Sequence, residues 1–327
     1  MIISRAPFRV SFCGGGSDIP SFYEKYSGCV LSTTIRKYVY LSIHKAFNRD
    51  TITVKYSKTE VVNNPADLEH RIFKQVLTDF GNKGFEIASM ADITAGTGLG
   101  SSSSFTVALL KMMYAYNGVS VSNYKVAKRA CEIEIEELGN PIGKQDQFAA
   151  AFGGLRYYEF QPDGFVKVEP IIMKRESYRH LEDSIMMFYT GALHDANKIL
   201  AEQSHSYAVS ANAKIEGTKA LCEMTRELKV KLEENNVDAL GDILRRSWEI
   251  KRGLATGISN PLIDSHYEIG MANGATGGKL LGAGGGGFLL FYVPEADKRE
   301  KVKAALSDLL YMPVELDQSG VSIVFTE

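Results

Sequence analysis

The chain has 327 residues, is 45% hydrophobic and 23% charged, and carries a formal net charge of −2. That balance gives no electrostatic footprint for nucleic acid or an anionic membrane, and no apolar run reaches the roughly 20 residues that span a bilayer. The length exceeds what one core usually supports, so two domains are expected.

The opening run Met1-Ile2-Ile3-Ser4-Arg5 lacks the basic-then-apolar layout of a signal peptide. Cys13, Cys29, Cys131 and Cys222 are scattered, with no metal spacing, which predicts reduced thiols and a cytoplasmic location. Arg5-Ala6-Pro7-Phe8-Arg9-Val10-Ser11-Phe12 reads as a strand running into Gly14-Gly15-Gly16-Ser17-Asp18. A strand ending in glycines with a carboxylate just beyond can aim polar groups into a cleft. Alternation of Val39, Leu41 and Ile43, then of Ile52, Val54 and Tyr56, predicts two further strands. Asn64-Pro65 has the form of an N-cap and first-turn proline, with Leu68, Ile72, Val76 and Phe80 on one helical face. Phe85, Ile87 and Ser89 form a short strand.

That strand feeds Gly96-Thr97-Gly98-Leu99-Gly100-Ser101-Ser102-Ser103-Ser104, which leads without a break into the apolar run 105–113. A glycine-rich turn opening a helix is an anion site, because the unpaired N–H groups of the first turn point at the ligand. No lysine follows Gly100, which excludes a Walker loop. Gly100 comes two places after Gly98, which excludes a dinucleotide fingerprint. A nucleotide triphosphate cradle remains.

Ser122 predicts the start of a helix running to Leu138, before Gly139-Asn140-Pro141. Two short strands flank Pro162-Asp163-Gly164. The polar stretch 174–179 marks the expected boundary between domains 1–178 and 179–327. A strand at 185–189, helices near 215–232, 240–254 and 261–272, and a final helix and strand complete an α+β pattern. Between them lies a second glycine cluster, residues 277–287, followed by the strand 288–293. Its glycine density predicts close approach of another backbone or a ligand, as a lid or wall over the phosphates.

These three clusters, in this order, resemble the GHMP kinases over nearly the whole length. Residues 96–103 match the family's phosphate loop, with Thr94 where proline is usual, and 279–287 match its C-terminal glycine motif. The resemblance implies a ribosomal-S5-like N-terminal domain, a ferredoxin-like C-terminal domain, and ATP bound between them with Mg2+. It assigns nucleotide binding to Gly96, Thr97, Gly98, Leu99, Gly100, Ser101, Ser102 and Ser103. Asp146, within Gly143-Lys144-Gln145-Asp146-Gln147-Phe148, matches a catalytic aspartate, which either takes the acceptor's proton or only orients it. Arg9 would sit with it and offset transition-state charge.

Asp18 matches the carboxylate that grips sugar hydroxyls, with Gly15, Gly16, Ser17, Gly284 and Gly285 around the substrate. Magnesium needs few protein ligands; the family points to the Ser102 hydroxyl, with Ser101 and Ser103 still open. Of the acidic residues between 132 and 137, Glu134 falls nearest the stripe Tyr124, Ala127, Cys131, Ile135 and Leu138, roughly 60° from its centre.

Within the superfamily the motifs are most similar to those of heptose 7-phosphate kinases, although His194 stands where an arginine is common. The implied reaction is phosphorylation of the anomeric hydroxyl of a sugar phosphate. A free-sugar kinase of fucose or galactose type and a non-catalytic sugar sensor are the alternatives. A distal phosphate would need cations, for which Arg36, Lys37 and Lys198 border the expected site. The expected partner is this small molecule alone, on a monomer or homodimer.

Overall fold

The computed structural model describes residues 1–191, 196–209 and 212–327. His194 lies outside the described residues. The first half is built on a large sheet whose spine is two strands, β1 (Ile2–Cys13) and β2 (Gly28–Lys45), joined through the short helix α1 (Pro20–Tyr26). Strands β3 (Ile52–Lys55) and β4 (Thr59–Val62), helix α2 (Arg71–Phe80) and strand β5 (Phe85–Ala91) follow. Helices α3 (Ser101–Tyr116), α4 (Asn123–Cys131) and α5 (Gln145–Phe152) come next, then strands β6 (Arg156–Phe160) and β7 (Val166–Pro170) and helix α6 (Arg175–Ser184).

The second half starts with β8 (Ile185–Tyr189), then α7 (Ala196–Ala208), α8 (Asn212–Glu233), α9 (Ala239–Lys251) and α10 (Pro261–Ala272). A hairpin of β9 (Gly277–Leu280) and β10 (Phe288–Tyr292) precedes α11 (Ala296–Ala305) and β11 (Leu310–Met312). These strands form an antiparallel sheet in the order β11-β8-β10-β9. The chain then returns. Strand β12 (Leu316–Asp317) pairs with β2, and β13 (Ser322–Thr326) pairs with β1. The α+β class is therefore as expected, but a division at 178/179 is crossed by the last strands.

Helix α3 is central and, beyond its first turn, mostly apolar: Val107, Leu109, Leu110, Met112 and Met113 are all fully buried. Two side chains tie it to β1. Ser4 Oγ donates to the Ala108 carbonyl at 2.9 Å, and Ser104 Oγ to the Pro7 carbonyl at 2.8 Å. The N-terminus of α3 is thereby held beside the strand that carries Arg9. Phe12 and Leu31 of the first sheet share a buried cluster with Leu228 and Leu240 of the helices and Leu290 of the second sheet.

Two local expectations need correction. Asn64 caps only a single 3-10 turn, Pro65–Asp67, accepting from the Ala66 N–H; α2 starts later, with His70 Nδ1 as its cap. The polar stretch 174–179, where the domain boundary was expected, opens α6 and is polar for lying on the surface. The helix capped by Ser122 does not stay α-helical to Leu138. It opens into a π-turn over Glu132–Glu137, where the Leu138 N–H reaches the Ile133 carbonyl.

Candidate active site

The centre of the site is a bidentate ion pair. Arg9 Nε donates to Asp146 Oδ1 at 2.7 Å, and Nη2 donates to Oδ2 at 2.9 Å. The third guanidinium nitrogen donates to the Gly98 carbonyl at 2.5 Å, and the Arg9 backbone N–H donates to the Leu99 carbonyl at 3.1 Å. Strand β1 thus holds the glycine loop by both side chain and main chain. Asp146 sits in the first turn of α5. Paired in this planar, two-bond geometry, its carboxylate has a fixed orientation.

The pair lies on a cleft of about 500 Å³ lined by Gly96, Gly98, Gly100 and residues 101–103. Gly100 is the N-cap of α3 at φ 77°, and no side chain caps that end. The N–H groups of the first turn are left for a ligand, and the helix dipole favours an anion there. A Cβ at Gly98 would come 2.7 Å from the Leu281 carbonyl oxygen, and one at Gly282 would come 2.5 Å from the Gly98 Cα. The two glycine clusters are in backbone contact, as their density implied. A further wall of the cleft holds His70, Ile72 and Phe105; the His70 and Phe105 rings are 5.2 Å apart. Burial lowers the His70 pKa, and His70 with Phe105 and Ile72 makes a largely apolar wall suited to a planar ring.

Glu134 is completely buried. It lies in line with Ala127, Ala130 and Cys131 rather than at the margin of the face, because Tyr124, Ile135 and Leu138 turn out to be only half-buried. Its Oε1 accepts from Ser102 Oγ at 2.6 Å and its Oε2 from Gln147 Nε2 at 2.8 Å. Burial raises its pKa, and these hydrogen bonds work against that rise. Among the described residues no cation pairs with it. A buried carboxylate without a counter-charge, bonded to a hydroxyl at a phosphate-binding helix end, is a donor set that fits a hard divalent cation.

Asp18 Oδ1 accepts from the Gly16 N–H and from Gln145 Nε2, and its Oδ2 accepts from the Gln145 N–H. Burial raises its pKa. Gly15 and Gly16 line the cleft beside it, whereas Ser17 Oγ is turned inward to the Gly14 and Cys29 carbonyls. Thr97 and Leu99 are buried inside the loop. Gly284 and Gly285 are not in the cleft: the Gly285 N–H donates to the Ile258 carbonyl, and Gly284 packs on the same residue.

Arg36, Lys37 and Lys198 are not brought to the cleft. Arg36 faces a separate surface hollow and pairs with Glu315. The lysines that do line the cleft are Lys251 and Lys279, both missed in the sequence. Lys279 lies within the second glycine cluster, where the glycines drew the attention; Lys251 has no local signal at all. Ser11 and Gln145 were also missed. Ser11 Oγ and Gln145 Oε1 are buried, line the cleft and have no protein partner among the described residues. Ser11 could have been found from its spacing of two from Arg9, which puts both on one face of β1.

Comparison with known proteins shows the family and the fold. Residues 67–154 match the GHMP kinases N-terminal domain, and residues 228–311 match the GHMP kinases C-terminal domain. The chain is similar to a D-glycero-alpha-D-manno-heptose 7-phosphate kinase of Campylobacter jejuni, at 30% identity over 323 residues covering 95% of each chain. A solved D-glycero-D-manno-heptose 1-phosphate kinase from Bacteroides thetaiotaomicron superposes with a TM-score of 0.82 at 27% identity, with 100% of each chain covered. A Lactococcus lactis galactokinase shares the fold, with a TM-score of 0.77 at 16% identity over 98% of this chain and 94% of its own.

Proposed function

The chain belongs to the GHMP kinases, ATP-dependent enzymes acting on small-molecule acceptors, and from that premise we propose that it phosphorylates the anomeric hydroxyl of a heptose 7-phosphate. The observation that carries the reading is the Arg9–Asp146 pair set directly beside the N-terminus of α3. A fixed carboxylate next to an anion cradle is what transfer of a phosphoryl group to a hydroxyl requires.

In the proposed mechanism the ATP phosphates lie against the loop 96–103 and the first N–H groups of α3. The acceptor lies against Asp18, Gly15 and Gly16. Its hydroxyl oxygen forms a bond to the γ-phosphorus as the bond to the β,γ-bridging oxygen breaks, releasing ADP. Asp146 receives the hydroxyl proton. Arg9 keeps that carboxylate aimed and supplies positive charge near the transferring group. Ser11 Oγ and Gln145 Oε1 are available for acceptor hydroxyls. Ser102 and Glu134 would hold Mg2+, whose role in this chemistry is to neutralise charge on the phosphates.

The test is ADP release by the purified protein with ATP and Mg2+ across a panel of acceptors. The panel holds heptose 7-phosphate, mannose 6-phosphate, mannose, fucose, galactose and mevalonate. Turnover confined to the 7-phosphorylated heptose is expected, with the 1,7-bisphosphate as product. Preference for an unphosphorylated sugar would overturn the acceptor assignment, and turnover of none would overturn the reaction.

A further inference from the structure

Two buried lysines on the cleft have no role in the mechanism above. Lys251 closes α9 and is 8% exposed; Lys279 lies on β9 and is 3% exposed. Lys251 Nζ donates to the Gly282 carbonyl at 2.5 Å, and Lys279 Nζ donates to the Phe12 carbonyl at 3.0 Å. An ammonium has three protons to donate, so each has two left over. Among the described residues neither is paired with a carboxylate. Asp146 is taken by Arg9, and Asp18 by Gly16 and Gln145.

Charges this deep are costly unless something compensates them. The charged groups facing them compensate only in part: Asp18 acts on Lys251 alone, while Arg9 from β1 is a like charge for both and Lys279 is one for Lys251. Cys13, beside Lys279, has its thiol pushed up by burial and stays neutral. Burial lowers Lys279 to about 8. It lowers Lys251 well below the ordinary lysine range, with Lys279 and Arg9 adding to the effect.

We infer that Lys251 and Lys279 form a subsite for a phosphate monoester dianion carried by the acceptor. The inference rests on the sugar-phosphate kinase reading. A dianion between the two ammonium groups supplies the missing counter-charge and accepts their unused protons. The nucleotide's phosphates have their own donors at the start of α3. The lysines come instead from α9 and β9. Lys279 is anchored on Phe12, next to the turn that carries Gly15, Gly16 and Asp18, and Asp18 is within electrostatic reach of Lys251. The distal phosphate is therefore read by these lysines, not by Arg36, Lys37 or Lys198.

Two measurements test it. The first compares Lys251→Met and Lys279→Met with wild type on heptose 7-phosphate and on the same heptose without phosphate. For the phosphorylated sugar kcat/KM should fall by about 100-fold, mostly through KM. For the unphosphorylated sugar, and in Lys279→Met for the KM of ATP, the change should stay within about threefold. An equal fall for both acceptors, or a raised KM for ATP in Lys279→Met, would assign the lysines to the transferring phosphoryl group and overturn the subsite.

The second needs no variant. With AMPPNP and Mg2+ filling the nucleotide site, inorganic phosphate is titrated calorimetrically at pH 8.5 in two buffers of different ionisation enthalpy. Binding with proton uptake is expected, because a bound dianion raises the Lys279 pKa back above the pH. If phosphate binds in this way but no sugar phosphate is turned over, the acceptor assignment fails and the subsite stands. If no phosphate binds, or binds without proton uptake, the subsite fails whatever the acceptor.

Discussion

At the scale of single residues, the site combines a carboxylate paired with a cation and, among the described residues, one without a counter-charge, and the two should respond differently to neutralisation. Asp146 is held by Arg9 through both oxygens. Asp146→Asn keeps the shape but cannot take a proton, so kcat should fall by about 10² to 10⁴ with ATP affinity intact. Steady-state kinetics with calorimetric ATP binding checks this, and undiminished kcat would leave Asp146 only an orienting role. Glu134 is the opposite case. Burial raises its pKa above the ordinary 4.5, so the folded protein binds that proton more tightly than the unfolded chain does. Its stabilising contribution is fully present below pH 4.5 and is lost as pH rises through the raised folded value. Glu134→Gln is neutral at every pH and escapes that loss. Gln147 can accommodate it, because its buried Oε1 has no partner among the described residues and a turned amide could accept where it now donates. The variant should therefore gain stability relative to wild type as pH rises above 4.5, seen as the higher Tm of the two near neutrality. The same variant should need at least about tenfold more Mg2+ for half-maximal turnover. Scanning calorimetry against pH and an Mg2+ titration read the two effects; a variant less stable at every pH would make Glu134 a structural group.

At the scale of elements, the phosphate cradle is a joint product of two loops far apart in sequence. Gly98 and Gly282 meet backbone to backbone, and both have positive φ, 81° and 74°. Alanine at either adds left-handed strain and a contact well inside van der Waals distance. The loops must then separate, and the N–H groups of the cradle move with them. Gly98→Ala and Gly282→Ala should each raise the KM of ATP at least about tenfold, and the double variant should be little worse than the poorer single. Additive effects in that cycle would mean that each glycine meets the ligand on its own. The glycine clusters were legible because close approach of backbones leaves a compositional mark. The face of α4 was legible only in part. The spacing of Tyr124, Ala127, Cys131, Ile135 and Leu138 assumed uniform α-helix, and a π-turn leaves no mark in hydrophobic periodicity. Asp146 and Arg9 were found through motif resemblance, yet their bonding is a tertiary fact set by α5 docking on β1. Lys251 was out of reach for the same reason. Its surroundings come from a loop some thirty positions away, and a lysine at a helix end is ordinarily solvated.

At the scale of the whole molecule, the active site depends on a segment that never touches it. None of residues 315–327 lines the cleft. Strand β13 nevertheless pairs with β1 over Ile2, Ile3, Ser4 and Arg5, on the strand that also carries Arg9 and Ser11. Strand β12 pairs with β2 at Ile35 and Thr34. Further hydrogen bonds reinforce the closure: Thr34 Oγ1 donates to the Asp317 carbonyl, Tyr38 Oη donates to Asp317 Oδ2, and the Val321 N–H donates to the Ala150 carbonyl at the end of α5. Each such bond contributes about 1 kcal/mol net, so losing these three removes about 3 kcal/mol, a large fraction of the roughly 5–15 kcal/mol that stabilises a domain. A chain ending at 314 should show a lower urea midpoint and loss of hydrogen-exchange protection in the amides of β1. Turnover should fall with it, because Arg9 and Asp146 lie on the strand and helix that this segment clamps together. A fragment of residues 1–178 lacks the same closure, and it also exposes the face of Phe12 and Leu31 that packs on Leu228, Leu240 and Leu290; it should not unfold cooperatively. A truncated chain with the full-length midpoint and turnover would show that β1 holds its place without its outer neighbour. The first sheet would then be complete before the chain enters its second half, and the 178/179 division would be a true boundary between independently folding units.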